Sequence, residues 1–325
     1  MSSPNPPLPQ DIFHPHPLPL TAIPYHPHHA PPISSSSPQH PDLTLFLTSA
    51  LTHAHEWITT HMPWQIHHQA RAANTHRARP STARVEVCKR TAHRSPLKTQ
   101  ARGSLRASEE YWFGRRSVHE DAARSGTASL AELRRVLKDE HAEKEVVYNP
   151  AVVRAERVWE YDLSGVMSTA VGEGGGGGEW REVTACVNLI THKYPLCTTR
   201  CYTVLEITST LPPLDPQSRT PEADPGFIIV QIPVSYPDLP NPKPTPPAAT
   251  AIFANYVSIE MVRPLPRASS DTRSPQIEWT MATAGDAGGW IPESVQRSWW
   301  LGGVPKQIVK DVGFVLAYLA KQRTR

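Results

Sequence analysis

The chain has 325 residues, enough for two average domains or for one large domain with long extensions. Its 35 prolines are about twice the average usage, and its charged residues, at 19%, are fewer than usual. Collagen is excluded because the 17 glycines follow no three-residue period. A membrane-spanning helix is excluded because the longest apolar run is only 312–320. The first 30 residues lack a basic start followed by an apolar stretch, so we expect no secretory signal and a cytoplasmic location.

The net charge of +3 is an average over three unlike segments. Residues 1–60 contain three acids and no Lys or Arg, and residues 61–106 contain ten Lys or Arg and one acid. Residues 109–325 contain 23 Lys or Arg and 26 acids. The sequence therefore predicts an acidic body preceded by a basic insert.

Residues 1–42 are rich in Pro, His and Ser, and 13 of the prolines lie there. Such a segment has too few apolar side chains to offset its ordering entropy, so we predict a disordered tail. Its proline runs could instead bind a proline-reading domain in polyproline II form.

A short helix is predicted over 43–60, because apolar residues recur there at three- and four-residue spacing. Asp42 is the expected N-cap. Residues 61–108 lose this periodicity, and we expect a basic linker with little structure. Its residues 61–106 could contact an anionic membrane by charge alone. Nucleic-acid binding is not favoured, because aromatic residues are not interleaved with the basic ones. A solvated linker and a translated intron are the alternatives.

From Glu109 the pattern becomes regular. A capping box at Ser129 and Glu132 opens a predicted helix that runs to about Glu145. The strand-like runs are 109–119, 153–161, 180–191, 200–208, 227–234, 252–262 and 277–284. The glycine run 174–178 and the proline tracts 212–225 and 237–247 are expected to be surface loops.

The chain ends in a helix predicted from Val304 to about Lys321, with an apolar stripe on one face. An α+β domain results, in which this helix must bury its stripe against the sheet.

The four cysteines, Cys88, Cys186, Cys197 and Cys201, do not form a disulfide framework in a chain of this length. His192, Cys197 and Cys201 are close in sequence, but zinc sites usually open with a closer cysteine pair. We expect free thiols packed as small hydrophobes, with no metal and no cofactor.

Six stretches carry a resemblance to a known family. They are EEYWFGRRSVHEDAA (109–123), HAEKEVVYNP (141–150), FIIVQIPV (227–234), YVSIEMV (256–262), EWTMATAGDAGGWIPESVQ (278–296) and GGVPKQIVKDVGFVLAYL (302–319). Together they resemble fungal domain-of-unknown-function family 3074 of the START-like superfamily, over 109–322 with a weaker echo in 43–60. The resemblance implies a helix-grip fold, a curved antiparallel sheet around a long C-terminal helix.

The same resemblance implies a hydrophobic cavity between sheet and helix that holds a lipid, a sterol or another apolar molecule. Strand alternation and the helix stripe supply apolar lining candidates, although residues of this kind more often belong to plain core than contact a ligand: Phe227, Ile229, Trp279, Met281, Ile308, Val312 and Val315.

Polar residues on otherwise apolar strand faces are the second group of candidates, because a buried polar group needs a partner. These are Arg115, His119, Glu206 and Gln231. One of them could contact a polar group of the ligand, and pairing among themselves or exposure to solvent is the alternative. Arg115 is expected to pair with Glu206 or Glu278.

Three functions follow from these observations. The first, which we favour, is a non-enzymatic binder or carrier of a lipid or other apolar ligand. The second is a cavity enzyme of cyclase or hydratase type, with His119 as the best acid–base candidate. The third is an interaction protein that acts through its proline-rich and basic tails. The sequence does not indicate an oligomeric state.

Overall fold

The computed structural model describes residues 12–27, 40–62, 74–93, 109–139, 141–164, 180–194, 197–213, 224–239, 250–266 and 274–324. Its helices are α1 (Leu43–His61), α2 (Leu130–Leu133), α3 (His141–Tyr148), α4 (Glu293–Gln296) and α5 (Val304–Arg323). Its strands are β1 (Asn74–Arg77), β2 (Arg84–His93), β3 (Glu109–Glu120), β4 (Val152–Glu160), β5 (Arg181–His192), β6 (Arg200–Thr210), β7 (Phe227–Pro233), β8 (Ile252–Phe253), β9 (Asn255–Pro264) and β10 (Gln276–Asp286). The glycine run 174–178 and most of both proline tracts lie outside the described residues.

Within the described ranges, these strands form one sheet in the order β1-β2-β3-β10-β9-β7-β6-β5-β4. Neighbours along this path are antiparallel, and the short β8 adds a parallel pairing to β6. All seven predicted strand regions are confirmed, although 252–262 is divided into β8 and β9. The central position of β6 and β7 explains their uniform burial, because both faces of the sheet are covered.

One face of the sheet, here called the outer face, packs against α1. Phe46, Leu47 and Leu51 of α1 are fully buried in the same cluster as Val230 and Ile259 of the sheet. The predicted helix and its cap are confirmed, since the Asp42 side chain accepts a hydrogen bond from the Leu45 amide at 2.9 Å.

The prediction of a disordered tail over 1–42 is wrong for residues 12–27. Ile12, Phe13 and Ile23 are buried against the outer-face cluster. The Leu18 amide also donates to the Pro233 carbonyl at 2.8 Å, which adds a β-bridge to the end of β7. The proline-rich composition indicates that the segment cannot form a core of its own. Residues 12–27 are ordered because they pack against the apolar cluster of the sheet instead.

The prediction of a basic linker with little structure is wrong for β1 and β2. Strand β2 pairs with β3 from Val85–Ser117 to His93–Glu109. Val85 is fully buried on the inner face of the sheet, and Cys88 is buried on the outer face. The many basic side chains of this stretch made the alternating apolar residues of β2 difficult to recognise as a strand.

The inner face of the sheet packs against α2, α3 and α5. The capping box at Ser129 is confirmed, but the single helix predicted through Glu145 is not. A π-helical turn over Arg134–Asp139 follows α2, and α3 then begins separately at His141. The predicted C-terminal helix is confirmed, and its stripe is buried as expected, from Ile308 through Val312 and Val315 to Leu319. Among the described residues, no helix is long and apolar enough to cross a bilayer.

Candidate ligand-binding site

Strand alternation brings all eight predicted strand residues of the site onto the inner face. Hydrogen-bonding register aligns Glu206 with Gln231 in one row, and Ile229 with Glu260, Met281 and Arg115 in the next. The row after that contains Phe227 and Trp279, and His119 lies beyond it. The three predicted helix residues Ile308, Val312 and Val315 are buried on α5, and Val312 and Val315 share a cluster with Phe227, Ile229 and Trp279. Met281 is partly buried.

Arg115 is paired with Glu260. Its guanidinium donates to Glu260 Oε1 at 2.5 Å, and Trp279 Nε1 donates to the same oxygen at 2.6 Å. The guanidinium carbon also lies 4.4 Å from the Trp279 ring centroid. Arg115 is only 1% exposed, and its Nε and Nη1 have no hydrogen-bond partner within the described part of the chain. Two buried donors therefore remain available on the inner face.

The expected pairing of Arg115 with Glu206 or Glu278 is wrong. Glu278 precedes Trp279 by one residue, so it lies on the outer face, where it binds Arg116 and Arg263. Glu206 lies on the inner face but is occupied by a histidine from α3.

His141 and Glu206 form a buried ion pair, with Nδ1 of the histidine 2.7 Å from Oε2 of the glutamate. Burial alone would lower the pKa of His141, but the carboxylates around it, Glu206 first, raise this pKa to about 9. Burial would raise the pKa of Glu206, but His141 and a hydrogen bond from Gln231 hold it below the usual value. Both groups are therefore charged near neutral pH.

Gln231 extends this pair into a hydrogen-bonded chain. Its Nε2 donates to Glu206 at 2.9 Å. Its Oε1 accepts from the Tyr256 hydroxyl at 3.0 Å and from the Ser258 hydroxyl at 2.9 Å. Gln231 is one of the predicted site residues, whereas His141 is not among the candidates that the sequence indicates.

His119 is buried and neutral. Its Nε2 lies 2.9 Å from the Ser117 hydroxyl, and burial together with the charge of Arg115 lowers its pKa to about 4. A histidine with this pKa is almost wholly deprotonated at neutral pH, so it is a poor general acid.

Two carboxylic acids on the helices complete the polar groups of the inner face. Burial raises the pKa of Asp311 on α5 to about 7; the charge of Arg115 opposes this shift, and those of Glu145 and Glu260 add to it. Burial likewise raises the pKa of Glu145 on α3, opposed by His141. Both side chains nevertheless keep part of their surface accessible.

Tyrosines share this combination of partial exposure and strong desolvation. Tyr148, Tyr194 and Tyr256 are only partly buried, yet burial raises the pKa of each well above its usual value. Glu145 contributes to the pKa shift of all three, which places them in electrostatic range of one acid.

The sequence contains a signal for each of the two acids, Asp311 and Glu145, that were not among the predicted site residues. Asp311 lies three residues after Ile308 and four before Val315, on the side of α5 that carries the apolar stripe. Glu145 lies four residues after His141 and therefore on the same side of α3. A charge within an apolar stripe indicates a buried polar contact, and this pattern was available before the structure.

No group of three or more His, Cys, Asp or Glu close enough to hold a metal ion occurs in the described ranges. All four cysteines are free thiols. An open depression of about 410 Å³ lies where β4 ends and β5 begins, lined by residues such as Tyr161 and Val183, and none of the predicted site residues line it.

The chain belongs to the family described as "Protein of unknown function (DUF3074)", which matches residues 112–319. The predicted family is confirmed, and so is the predicted architecture, an antiparallel sheet with a long C-terminal helix. A crystal structure of human STARD10 is similar over 78% of this chain and 76% of that chain, with 14% identity and a TM-score of 0.43. A comparison with curated proteins finds no match.

Proposed function

We propose that the inner face of the sheet, α3 and α5 enclose a space that binds one mostly apolar molecule without changing it chemically. The observation that carries this proposal is the combination of accessible surface and raised pKa at Asp311 and Glu145. Both keep accessible surface, and burial nevertheless raises the pKa of both. Surface that is accessible and poorly hydrated is expected where a side chain faces an internal space rather than bulk water.

The apolar part of such a molecule has a suitable wall. Phe227, Trp279, Val312 and Val315 form one apolar cluster between sheet and helix. Ile308 lies on the same side of α5, one turn before Asp311. An apolar wall with a few convergent polar groups is the usual composition of a small-molecule site.

The charges around this space favour a neutral polar group on the ligand. Arg115 and His141 are the cations of the cluster, and each already pairs with a carboxylate. Asp311 and Glu145 add two further acids with raised pKa values. A ligand carboxylate or phosphate would find no unpaired cation there and would oppose the ionisation of both acids, whereas a hydroxyl or carbonyl oxygen could accept from the free donors of Arg115. Sterols and other neutral lipids fit this description, and fatty acids and phospholipids do not.

The test is to identify what the purified full chain carries. Native mass spectrometry of the intact protein, followed by organic extraction and mass spectrometry of the extract, should reveal one neutral, mostly apolar compound per chain. Ile308→Trp should fill the space and reduce occupancy by about tenfold or more. Lys310→Trp adds the same side chain to the exposed side of α5 and is the matched control.

Equal occupancy in these two variants would contradict the proposed location. Failure to recover or bind any compound from a broad panel of neutral and charged lipids would contradict the function. A bound fatty acid or phospholipid would support the binding function but contradict the prediction that the ligand is neutral.

A cavity enzyme is the second candidate, and Asp311 is the observation that favours it. A carboxylic acid with a pKa of about 7 can both donate and accept a proton near neutral pH. Asp311→Asn distinguishes the two functions. If the protein is an enzyme, the variant should accumulate a compound whose mass differs from that bound by the unmodified protein. If it is a binder, the compound should be the same.

A further inference from the structure

The connection between β10 and α5, residues 287–303, is here called the tryptophan loop. It contains Trp290, Trp300 and Leu301, which are 72%, 88% and 67% exposed. Five other large apolar side chains are exposed in the described part of the chain, and none exceeds 65%. The three most exposed ones thus belong to a single segment. Grouped apolar exposure of this kind indicates an interaction surface.

The conformation of the tryptophan loop is stabilised by hydrogen bonds within it and by turns at its ends. Gln296 accepts from the Ala287 amide at 2.9 Å and donates to the Ile291 carbonyl at 3.0 Å. Glycines with positive φ form the turns at its two ends: Gly288, Gly289 and Gly302. The exposure of its tryptophans is therefore a property of a fixed conformation.

Two adjacent tryptophans of the loop have opposite environments. Trp299 stacks on His76 of β1 with ring centroids 3.7 Å apart. Trp300, the next residue, is the most exposed large apolar side chain in the described ranges. Nearby, Arg297 lies over the Tyr111 ring, 3.1 Å from its centroid. One part of the loop thus anchors it to the sheet, and the other part faces solvent.

The loop lies at one end of the proposed ligand space. The Ala287 carbonyl accepts from Arg200 Nε at 3.2 Å, and Arg200 lies six residues before Glu206 on β6, on the same face of the strand. The loop leads directly into α5, on which Asp311 follows about two turns later.

We propose that the tryptophan loop docks onto the surface of a phospholipid bilayer. Indole rings favour the boundary between headgroups and acyl chains, because they combine a large apolar body with one N–H donor. Lys306 and Lys310 lie on the first two turns of α5, beside the loop, and form no ion pair among the described residues. Their charges complement lipid phosphates.

This surface differs in chemistry from the basic stretch 61–106. Attachment through a polybasic segment requires anionic lipid and is lost at high salt. Attachment through inserted tryptophans is mainly apolar, so it should occur on neutral phosphatidylcholine and should persist when the salt concentration is raised. The docking proposal does not depend on which ligand the protein binds.

The test is sedimentation of the full chain with phosphatidylcholine vesicles, with and without phosphatidylserine. The unmodified protein should bind both, and Trp290→Ala with Trp300→Ala should lower the partition coefficient for phosphatidylcholine vesicles by about tenfold or more. Leu45→Ala is the control, because Leu45 is 55% exposed on α1 and belongs to a different surface. It should bind as the unmodified protein does. Equal urea midpoints for all three proteins establish that the variants are folded.

Three results would overturn the proposal. The unmodified protein could fail to bind either vesicle, or the double variant could bind as well as the Leu45→Ala control. Alternatively, the double variant could dissociate an oligomer, detected by size-exclusion chromatography, with vesicle binding unchanged. That outcome would assign the tryptophan loop to a second copy of the chain. If the proposal is correct, brominated phosphatidylcholine should quench the tryptophan fluorescence of the Leu45→Ala control more strongly than that of the double variant.

Discussion

Replacing His141 by glutamine tests the charge of the buried pair between α3 and β6. Glutamine can still donate a hydrogen bond to Glu206 but cannot carry a positive charge. The pKa of His141 rises from 6.5 to about 9 on folding. A shift of this size is worth up to ~3 kcal/mol, since one pKa unit corresponds to about 1.4 kcal/mol.

The pH dependence follows from the direction of this pKa shift. The folded state holds the proton more tightly than the unfolded state, so the stabilisation is fully present below about pH 6.5 and is lost as the pH rises to about 9. The difference in unfolding free energy between the unmodified protein and His141→Gln should therefore be largest near pH 6. It should fall to ~1 kcal/mol at pH 8 and reach a small constant value above pH 9.

Urea unfolding followed by tryptophan fluorescence at several pH values between about 6 and 9.5 measures this difference. His119→Gln is the matched control, because His119 is also buried and hydrogen-bonded but has a pKa of about 4. Its cost should change in the opposite direction: it should be smaller near pH 6, by just under ~1 kcal/mol, because the unfolded histidine then binds a proton that the folded one does not, and it should be constant above about pH 7.5. If the cost of His141→Gln does not fall as the pH rises from about 6 to 9.5, His141 is neutral in the folded protein and the predicted charge is wrong.

Two further pairs of substitutions test the ion pairs of the sheet and the packing of the N-terminal segment against it. Glu260→Gln leaves the buried charge of Arg115 unneutralised and should reduce the unfolding free energy by about 3–5 kcal/mol. Glu278→Gln on the outer face removes an acid whose arginine partners are partly exposed, and should cost only about 1 kcal/mol; equal costs in urea unfolding would contradict this assignment. Ile23→Ala should cost about 2–5 kcal/mol because Ile23 is fully buried, whereas Tyr25→Ala, 42% exposed, should stay within about 0.5 kcal/mol. A negligible effect of Ile23→Ala on the melting temperature would restore the prediction of a disordered tail.

Local sequence patterns predicted the elements whose apolar period is complete within one segment. The α5 stripe, the Asp42 and Ser129 caps and the β3 strand are of this kind, and the structure contains all of them. Composition is a misleading guide where a segment is stabilised by contacts with other parts of the chain. Residues 12–27 have no core of their own, and β2 is stabilised by pairing with β3.

The same distinction between local pattern and tertiary contact applies to the residues of the site. Alternation along each strand sufficed to select Arg115, Glu206 and Gln231 as inner-face polar residues, because that choice depends only on a period of two. Their pairings could not be predicted, because Arg115 meets Glu260, and Glu206 meets His141 and Gln231, only through strand order and helix placement.

By itself, the sequence determined the α+β class, the family, the long C-terminal helix and the strand face shared by the predicted site residues. Each depends on patterns within a segment or on motifs ordered along the chain. The tertiary structure decided that 12–27 and β2 belong to the packed body, that Arg115 pairs with Glu260, and that Trp300 faces solvent while Trp299 stacks on His76. These features depend on contacts between residues distant in sequence, and such contacts are fixed only when the strands take their order in the sheet.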